Sequence, residues 1–317
     1  MNMPDAIFTY SIEVLVLAIA MDVLFGEPPG ILHPVVWMGK GIISLQGLAT
    51  GFKDKSFGMF MVAAMTGISF LAGLLVVSTQ FILPKTITLL LMAYFLKSTF
   101  SFRMLLTSGN GIMTGLLSGH PDAARNDLKA LVSRDTSGMD EPHIASAVIE
   151  SVSENFVDTI LSPLFFYLIL GLPGALAYKA VNTLDSMVGY RNKEFIELGW
   201  ASARFDDILN WIPARLSLIF IVVGAVFTGS PVHAIRTCLK YRGQTPSPNS
   251  GWPMASTAGA LGVRLEKQGH YVLGGDFSLP VAADIARANK LVGMASVLLF
   301  MSTTVVIYLI QMGTLIR

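Results

Sequence analysis

The chain has 317 residues, of which 53% are hydrophobic and only 14% charged, with a formal net charge of +1 and one cysteine. A soluble domain of this length carries roughly 25% charged residues, so much of this surface faces something other than water. Acids and bases are interleaved, which excludes a nucleic-acid-binding patch, and the lone Cys238 excludes an internal disulfide or a cysteine-rich metal site.

Six apolar stretches are candidates for membrane helices, since a span needs about 20 mostly apolar residues. The first has no basic flank before it and no small-residue cleavage site after it, so we interpret it as a retained membrane helix and not as a signal peptide. The fourth contains Pro163 and Pro173, and the fifth is strongly apolar for only about 14 residues before Gly229, which favours broken or re-entrant segments. The six stretches lie at about 7–25, 59–83, 86–107, 160–177, 216–234 and 291–312.

The distribution of Lys and Arg indicates how the chain crosses the membrane, because cytoplasmic loops carry the excess of these residues. Lys97 lies inside an apolar stretch, which leaves 21 of the 22 basic residues to assign. Six crossings place 14 of them on the cytoplasmic side, whereas four crossings, without the two doubtful stretches, place 19 there. Four crossings with both termini outside are therefore favoured, and every polar segment then faces the cytoplasm.

These patterns predict an all-α fold, a polytopic integral membrane protein with one domain over residues 1–317. It has four to six transmembrane helices, with broken or re-entrant segments and polar amphipathic helices between them. We expect the chemistry in three polar islands, at about 103–158, 178–215 and 235–290.

A polar connector follows the first apolar stretch and reads DVLFGEPPGILHPVVWMGK. Asp22 lies at the membrane boundary, where a carboxylate is a functional candidate by default, with Glu27 and His33 just beyond it. Three prolines make the connector rigid, so a structural role is open as well.

The first island contains the most informative helix. The D-E-P sequence at 140–142 predicts a helix start, because Pro suits the first turn and acids favour the positive end of the helix dipole. Beyond it, Glu150, Glu154 and Asp158 recur every fourth residue within an arc of about 80°. Like charges at this spacing repel, and no base lies at i+4, so a divalent metal or cationic ligand explains them better than a solvated face. The opposite, apolar side comprises Val148, Ile149, Val152 and Phe156.

The second island combines oxygen ligands with basic side chains. Asn182 and Asp185 lie one turn apart, and Asp206 and Asp207 begin a D-D-x-x-N cluster that ends at Asn210. Such ligands suit Mg²⁺, which usually bridges one or two carboxylates to substrate phosphates. Ion pairing among the charges is the structural alternative. The neighbouring cations that could clamp phosphates are Lys179, Arg191, Lys193, Arg204 and Arg215.

The third island contains the segment SPNSGWPMASTAGALG at 247–262. A polar turn followed by a helix of small residues is typical of an anion-binding turn, with Ser250 and Gly251 at the helix start. Small residues also permit close helix packing, and the chain has no P-loop and no G-x-G-x-x-G motif, so any nucleotide is held in another way.

Long strings of this sequence resemble the adenosylcobinamide-phosphate synthase family of cobalamin biosynthesis, the CobD/CbiB family. The resemblance covers almost the whole chain in order, except about 41–96 and beyond 290, where only hydrophobic pattern remains. The strings are D-x-L-F-G-E-P-P…H-P-V-x-W-M-G at 22–39, S-F-R at 101–103, S-R-D-T-S…D-E-P-H-I-A-S-A-V-I-E-S-V-S-E-N at 133–155, Y-K-A-V-N-T-L-D-S-M-V-G-Y at 178–190, A-R-F-D-D-I-L-N-W-I-P-A-R at 203–215 and S-P-N-S-G-W-P-M-A at 247–255.

The resemblance implies an inner-membrane enzyme that joins adenosylcobyric acid to aminopropanol phosphate, or to aminopropanol, with consumption of ATP. Its expected cofactors are ATP and Mg²⁺, its active site faces the cytoplasm, and a homo-oligomer or a complex with other cobalamin-assembly enzymes is possible. We expect Glu150, Glu154, Asp158 and Asp185 to be catalytic, and Asp206, Asp207 and Asn182 to bind the metal. The expected substrate- or phosphate-binding residues are Arg103, Arg134, Lys179, Arg191, Arg204, Arg215, Ser250 and Gly251.

Two other classes of protein are compatible with parts of the pattern. A membrane prenyltransferase also uses aspartate-rich helices to hold Mg²⁺, but a second full aspartate motif is missing here. A transporter would form a midplane site from the broken segments, but the charged islands are long and look extramembrane.

Overall fold

A computed structural model describes residues 11–48, 54–132, 134–189 and 195–315, and most of these residues are helical. The helices are α1 Ile12–Phe25, α2 Pro34–Leu48, α3 Lys55–Ser78, α4 Lys85–Lys97, α5 Phe102–Thr107, α6 Asn110–Leu117, α7 Pro121–Leu128, α8 Glu141–Phe156, α9 Ser162–Val188, α10 Trp200–Leu209, α11 Trp211–Thr228, α12 Pro231–Tyr241, α13 Gly251–Leu261 and α14 Ala282–Leu315. The two strands are β1 Leu265–Lys267 and β2 Tyr271–Leu273.

Among the described residues, five helical segments are long and apolar enough to cross a membrane, and the predicted all-α membrane fold is confirmed. Of the two stretches that the sequence left in doubt, 160–177 lies within such a segment and 216–234 only overlaps one. How many of the five cross the bilayer stays a prediction. The segments are Lys55–Phe81, Lys85–Leu117, Glu141–Val188, Trp211–Thr228 and Ala282–Gly313.

Some predicted boundaries were wrong. The stretch at 216–234 is displaced, because α11 ends at Thr228 and Ser230 then caps a new helix by accepting a hydrogen bond from His233 N. The stretch at 86–107 is divided between α4 and α5. Of the first predicted span, the structure describes α1, while residues 7–10 lie outside the described part.

The chain divides into two compact units. The first contains residues up to 101, residues 162–209 and residues from 302 onward; the second contains 102–161 and 210–301. The expectation of one domain over 1–317 stays a prediction.

In the first unit, α3 packs closely against α9. A Cβ added at Gly73 would lie 2.5 Å from the Cα of Pro173, so only glycine allows this approach. Helix α9 is kinked at Gly171, whose φ of 64° and ψ of −158° are not helical, and Pro173 follows. Helices kink where Pro removes a backbone donor and Gly permits the unusual dihedrals, so the predicted break in this segment is confirmed.

In the second unit, α13 packs against α11 and α12 through small residues. A Cβ added at Gly259 would lie 2.3 Å from the carbonyl oxygen of His233. Beside α8 lies an antiparallel hairpin in which Leu265 pairs with Leu273 and Lys267 with Tyr271. The sequence did not predict this hairpin, because strands of three residues carry no measurable alternation.

Candidate active site

Helix α8 carries the first candidate site, and its start was predicted correctly. Asp140 is the N-cap, and its side chain accepts a hydrogen bond from His143 N at 3.1 Å. This bond satisfies one of the N–H groups that a helix start leaves without a partner. The predicted apolar side of the helix is confirmed too, since all four of its residues are buried.

Glu150 lies at the centre of this site with its carboxylate buried. Its side chain is only 5% exposed. Oε2 accepts hydrogen bonds from Arg134 Nη2 at 2.9 Å and from the Tyr271 hydroxyl at 2.7 Å, and Oε1 accepts one from Ser146 Oγ at 2.7 Å. A buried carboxylate is stable when it is both paired and hydrogen-bonded. The spacing of the acids predicted a cationic partner for this helix face, and at Glu150 that partner is the guanidinium of Arg134.

Because three donors occupy its carboxylate, Glu150 is better suited to orienting its neighbours than to accepting a proton. The Tyr271 hydroxyl keeps its proton and so keeps occupying Glu150. Burial, together with the negative charge of Glu150, raises the pKa of this hydroxyl well above its ordinary value. Tyr271 therefore stays protonated and continues to donate its hydrogen bond.

Arg134 has a donor to spare. Its Nη1 atom is buried and has no hydrogen-bond partner among the described residues. The side chain lines a cavity of about 160 Å³ together with Glu150, Glu154, Lys267 and Tyr271. A buried donor without a partner is unfavourable, and an anionic group in the cavity would satisfy it.

The hairpin brings two residues to this cavity that the sequence did not indicate. Ser146 of α8 accepts a hydrogen bond from Glu266 N at 2.8 Å, which holds the hairpin against the helix. Lys267 and Tyr271, a cross-strand pair, then line the cavity. Tyr271 is separated from Glu150 by 121 positions, and no motif joins the two in the sequence.

The three predicted acids of α8 do not have equivalent surroundings. Glu154 is exposed and lines the same cavity as Glu150. Asp158 is half-buried in a π-helical turn, Val157–Leu161, that follows α8, and it does not line this cavity. A π-turn changes the bonding from i+4 to i+5, so the regular spacing that relates Glu150 to Glu154 does not extend to Asp158.

Two other predicted phosphate-binding elements meet in the second unit. Arg215, in the first turns of α11, donates from Nη1 to Asn249 Oδ1 at 2.8 Å. Asn249 directly precedes Ser250 and Gly251, where α13 begins. A Cβ on Gly251 would lie 2.1 Å from the carbonyl oxygen of Arg242, so this turn requires glycine.

In the first unit, the predicted ligands of the second island come partly together. Asn182 Nδ2 lies 3.4 Å from Asp206 Oδ1, and Lys179 Nζ donates to Asn182 Oδ1 at 3.3 Å. Asp207 and Arg204 both line a cavity of about 320 Å³. Asp206 and Asp207 are half-buried, so water or a ligand can reach both.

These side chains fit a magnesium ion that completes its shell with water and phosphate. In the part of the chain that the structure describes, no three His, Cys, Asp or Glu side chains cluster as a metal site. Mg²⁺ does not need such a cluster, since it is commonly held by one or two carboxylates and keeps several waters. Asp206, with the amide oxygen of Asn182 after a change of rotamer, offers that minimal set.

The N-terminal connector forms a charged network in the first unit. Lys97 Nζ lies 3.2 Å from Asp22 Oδ1 and 2.7 Å from Glu27 Oε2, and His33 Nε2 lies 2.9 Å from the same Glu27 oxygen. Burial acts to raise the pKa of Glu27, but the hydrogen bonds from His33 and Lys97 outweigh it and lower that pKa to about 2. Sequence reasoning noted the connector residues but not Lys97 as their partner.

The remaining predicted residues have simple positions. Arg103 is exposed on α5, and Asp185 is half-buried on α9, one turn beyond Asn182. Arg191 and Lys193 lie outside the described residues. That the acids of α8 share a site with Asp206 and Asp207 stays a prediction.

Comparison with known proteins gives a consistent result. The family model described as "CobD/Cbib protein" matches residues 15–292. The chain is 40% identical to a probable cobalamin biosynthesis protein CobD of Methanothrix thermoacetophila, over 96% of this chain and 99% of that protein. It is 41% identical to the cobalamin biosynthesis protein CobD of Dehalococcoides mccartyi, over 93% of this chain and 97% of that protein. No solved structure matches the chain.

Proposed function

The chain belongs to the CobD/CbiB family and has a role in cobalamin biosynthesis, and on that premise we propose that it catalyses ATP-dependent amide formation. The carboxylate substrate is adenosylcobyric acid, and the amine is aminopropanol phosphate or aminopropanol. The product is adenosylcobinamide phosphate or adenosylcobinamide. The enzyme is thus a carbon–nitrogen ligase.

The reaction requires that a carboxylate oxygen become a leaving group. Transfer of the terminal phosphoryl group of ATP gives an acyl phosphate and ADP. The neutral amine then attacks the acyl carbon, the C–O bond to phosphate breaks, and the amine nitrogen loses a proton as the amide forms. In such chemistry the protein contributes mainly positioning and charge stabilisation.

The observation that carries the proposal is the half-buried Arg134, whose buried Nη1 lies beside a cavity in a member of this family. Its position is held by Glu150, and its free Nη1 donor suits a carboxylate or an acyl phosphate. Glu154, exposed at the same cavity, is placed to take the proton that the amine releases. Glu150 and Tyr271 then act as positioning residues for Arg134.

Magnesium-bound ATP is the second requirement of the proposal. Asp206, Asp207 and Asn182 would bind the ion, which neutralises phosphate charge when bound. Lys179 lies next to Asn182, and Arg204 lines the same cavity as Asp207, so each carboxylate has a cation nearby for phosphate oxygens.

The chain is a multi-pass membrane protein, and we place it in the cell inner membrane with its site facing the cytoplasm, where ATP is available. The corrinoid substrate is large, so a molecule of it bound at the membrane surface would contact the lipid bilayer as well as the protein. Association with itself or with other cobalamin-assembly enzymes is part of the proposal.

The decisive experiment is a reaction of purified protein in detergent with adenosylcobyric acid, ATP-Mg²⁺ and either amine, with the product followed by mass. We expect one ADP per amide formed. Arg134→Lys keeps a positive charge beside Glu150 but removes the planar guanidinium, so turnover should fall about tenfold or more. Arg236→Lys, a change at an exposed arginine of α12, is the matched control.

The result also separates the rival classes. A prenyltransferase would transfer an isoprenoid without ATP, and a transporter would produce no covalent product. If folded protein consumes no ATP with both substrates present, the ligase proposal is wrong.

A further inference from the structure

Two arginines in the second unit lie against one tryptophan. Arg215 Cζ is 5.0 Å from the centroid of the Trp252 ring, and Arg242 Cζ is 4.8 Å from it. Arg215 also lies over Trp211, at 4.4 Å. Stacking on an indole is favourable for a guanidinium, because the ring face carries negative potential. Both guanidiniums therefore lie over aromatic rings, and both arginines are half-buried.

Hydrogen bonds fix the same arrangement. Arg215 Nη1 donates to Asn249 Oδ1 and to the backbone oxygen of Trp211, both at 2.8 Å. Asn249 is buried, with 6% of its surface exposed. Arg242 Nη1 donates to Leu239 O at 3.2 Å. Each guanidinium has five N–H donors, so both retain donors for a ligand after these contacts are made.

The charges around this tryptophan are not balanced. Within the described ranges, neither Arg215 nor Arg242 forms an ion pair with a carboxylate. The charge of Arg242 repels that of Arg215. Holding two like charges together is unfavourable, whereas an anion within reach of both reverses the sign of the interaction. The arrangement is thus one that a bound anion stabilises.

The adjacent helix start adds to this positive region. Helix α13 begins at Gly251, next to the backbone of Arg242, and Ser250 makes no side-chain hydrogen bond as its N-cap. The N-terminus of an 11-residue helix carries partial positive charge. Arg242, Trp252 and the helix start thus lie on one short stretch of chain, residues 242–252, and Arg215 of α11 contacts this stretch at Asn249 and Trp252.

We propose that Arg215, Arg242 and the turn before α13 bind the phosphate group of a soluble substrate, with Trp252 as the platform. This inference rests on the proposed function and adds Arg242 and Trp252 to it. The phosphate belongs either to ATP or to the phosphorylated amine, and both present the same chemistry to a pair of guanidiniums. Arginine suits this task because its planar fork donates two parallel hydrogen bonds to phosphate oxygens.

Tryptophan fluorescence provides a direct binding test that does not depend on catalysis. In a Trp37→Phe/Trp200→Phe background, only Trp211 and Trp252 remain of the four tryptophans. Purified protein in detergent is titrated with inorganic phosphate, ATP and aminopropanol phosphate in separate experiments. The probe that binds most tightly identifies the source of the phosphate.

Three variants complete the test. We expect Arg242→Met to weaken binding of the preferred probe about tenfold or more, and Arg242→Lys to weaken it less, because the charge remains. Arg236→Met removes an exposed charge from the same part of the chain and should leave binding unchanged. Arg215→Met is expected to behave as Arg242→Met does, and thermal unfolding checks that each variant is folded.

The outcomes separate this inference from the proposed function. If Arg242-dependent phosphate binding is present but no amide forms, the site stands and the ligase assignment fails. If amide forms and Arg242→Met changes neither probe affinity nor the KM of either phosphate substrate, the inference is overturned. It is also overturned if the two arginines affect binding only to vesicles of anionic lipid, since they would then be membrane anchors.

Discussion

Replacement of Lys97 by Met should destabilise the first unit strongly. Lys97 is 2% exposed and its ammonium lies 3.2 Å from Asp22 and 2.7 Å from Glu27, of which Asp22 is fully buried. Removal of one partner of a buried ion pair typically costs about 3–5 kcal/mol, because the charge left behind has lost its partner and its water. The methionine replaces the packing of the aliphatic chain, so the loss reports charge and not volume.

Protonation of the carboxylate left behind sets an upper limit on this loss of stability. A carboxylate with an ordinary pKa near 4.3 takes up a proton at pH 7 at a cost of about 4 kcal/mol, at roughly 1.4 kcal/mol per pH unit. The uncompensated charge therefore cannot cost much more than this, and we expect a loss of about 3–4 kcal/mol at pH 7. Since the neutralising proton becomes easier to acquire in acid, the deficit should shrink by about 1.4 kcal/mol for each unit that the pH is lowered.

Equilibrium unfolding in mixed detergent micelles at pH 7 and pH 5.5 measures both effects. Lys85→Met is the matched control, since Lys85 begins the same helix and is exposed. The uncharged set Asp22→Asn/Glu27→Gln/Lys97→Met should recover most of the lost stability. The reasoning would be refuted if the free energy of unfolding of Lys97→Met lay within about 1 kcal/mol of wild type at pH 7 and the difference between the two proteins did not change with pH.

Three further predictions concern acid stability, metal binding and topology. Because the folded-state pKa of Glu27 is about 2, it contributes stability that is fully present above its ordinary pKa and lost as the pH falls from about 4.5 toward 2. Glu27→Gln should remove this part of the acid dependence, as measured by thermal unfolding, and an unchanged acid slope would contradict it. Asp206→Asn and Asp207→Asn should each lower amide formation roughly 100-fold or more, with partial rescue by added Mg²⁺. A loss that follows unfolding and ignores Mg²⁺ would mean that these residues are structural. Finally, a single cysteine at Asn192, outside the described residues, should resist labelling from outside in a Cys238→Ser background, and ready external labelling would end the four-span topology.

Much of the fold was predictable, because it depends on local patterns. The start of α8 follows from Asp140 and Pro142, whose capping and fixed dihedral act within one turn. The break in α9 follows from Pro173 and from Gly171, two residues earlier, which takes positive φ. The membrane segments follow from hydropathy alone. Their errors lie at the ends: Gly229 ends α11 and Ser230 caps the next helix before the predicted stretch is complete.

The sites were predictable only as sets of residue types. The sequence by itself determined that an acidic helix, an Asn–Asp cluster and a Ser–Gly turn were the places to look. It could not give their partners, because these are distant in the chain: Tyr271 is 121 positions from Glu150, and Lys97 is 70 positions from Glu27. Such contacts have no periodicity and no spacing rule, so only the tertiary structure decided them. The same holds for Arg242, which no motif in the sequence singled out and which the tertiary structure brings together with Arg215 on Trp252. Local chemistry defines helices and caps, but burial decides which charges meet and which are left for a ligand.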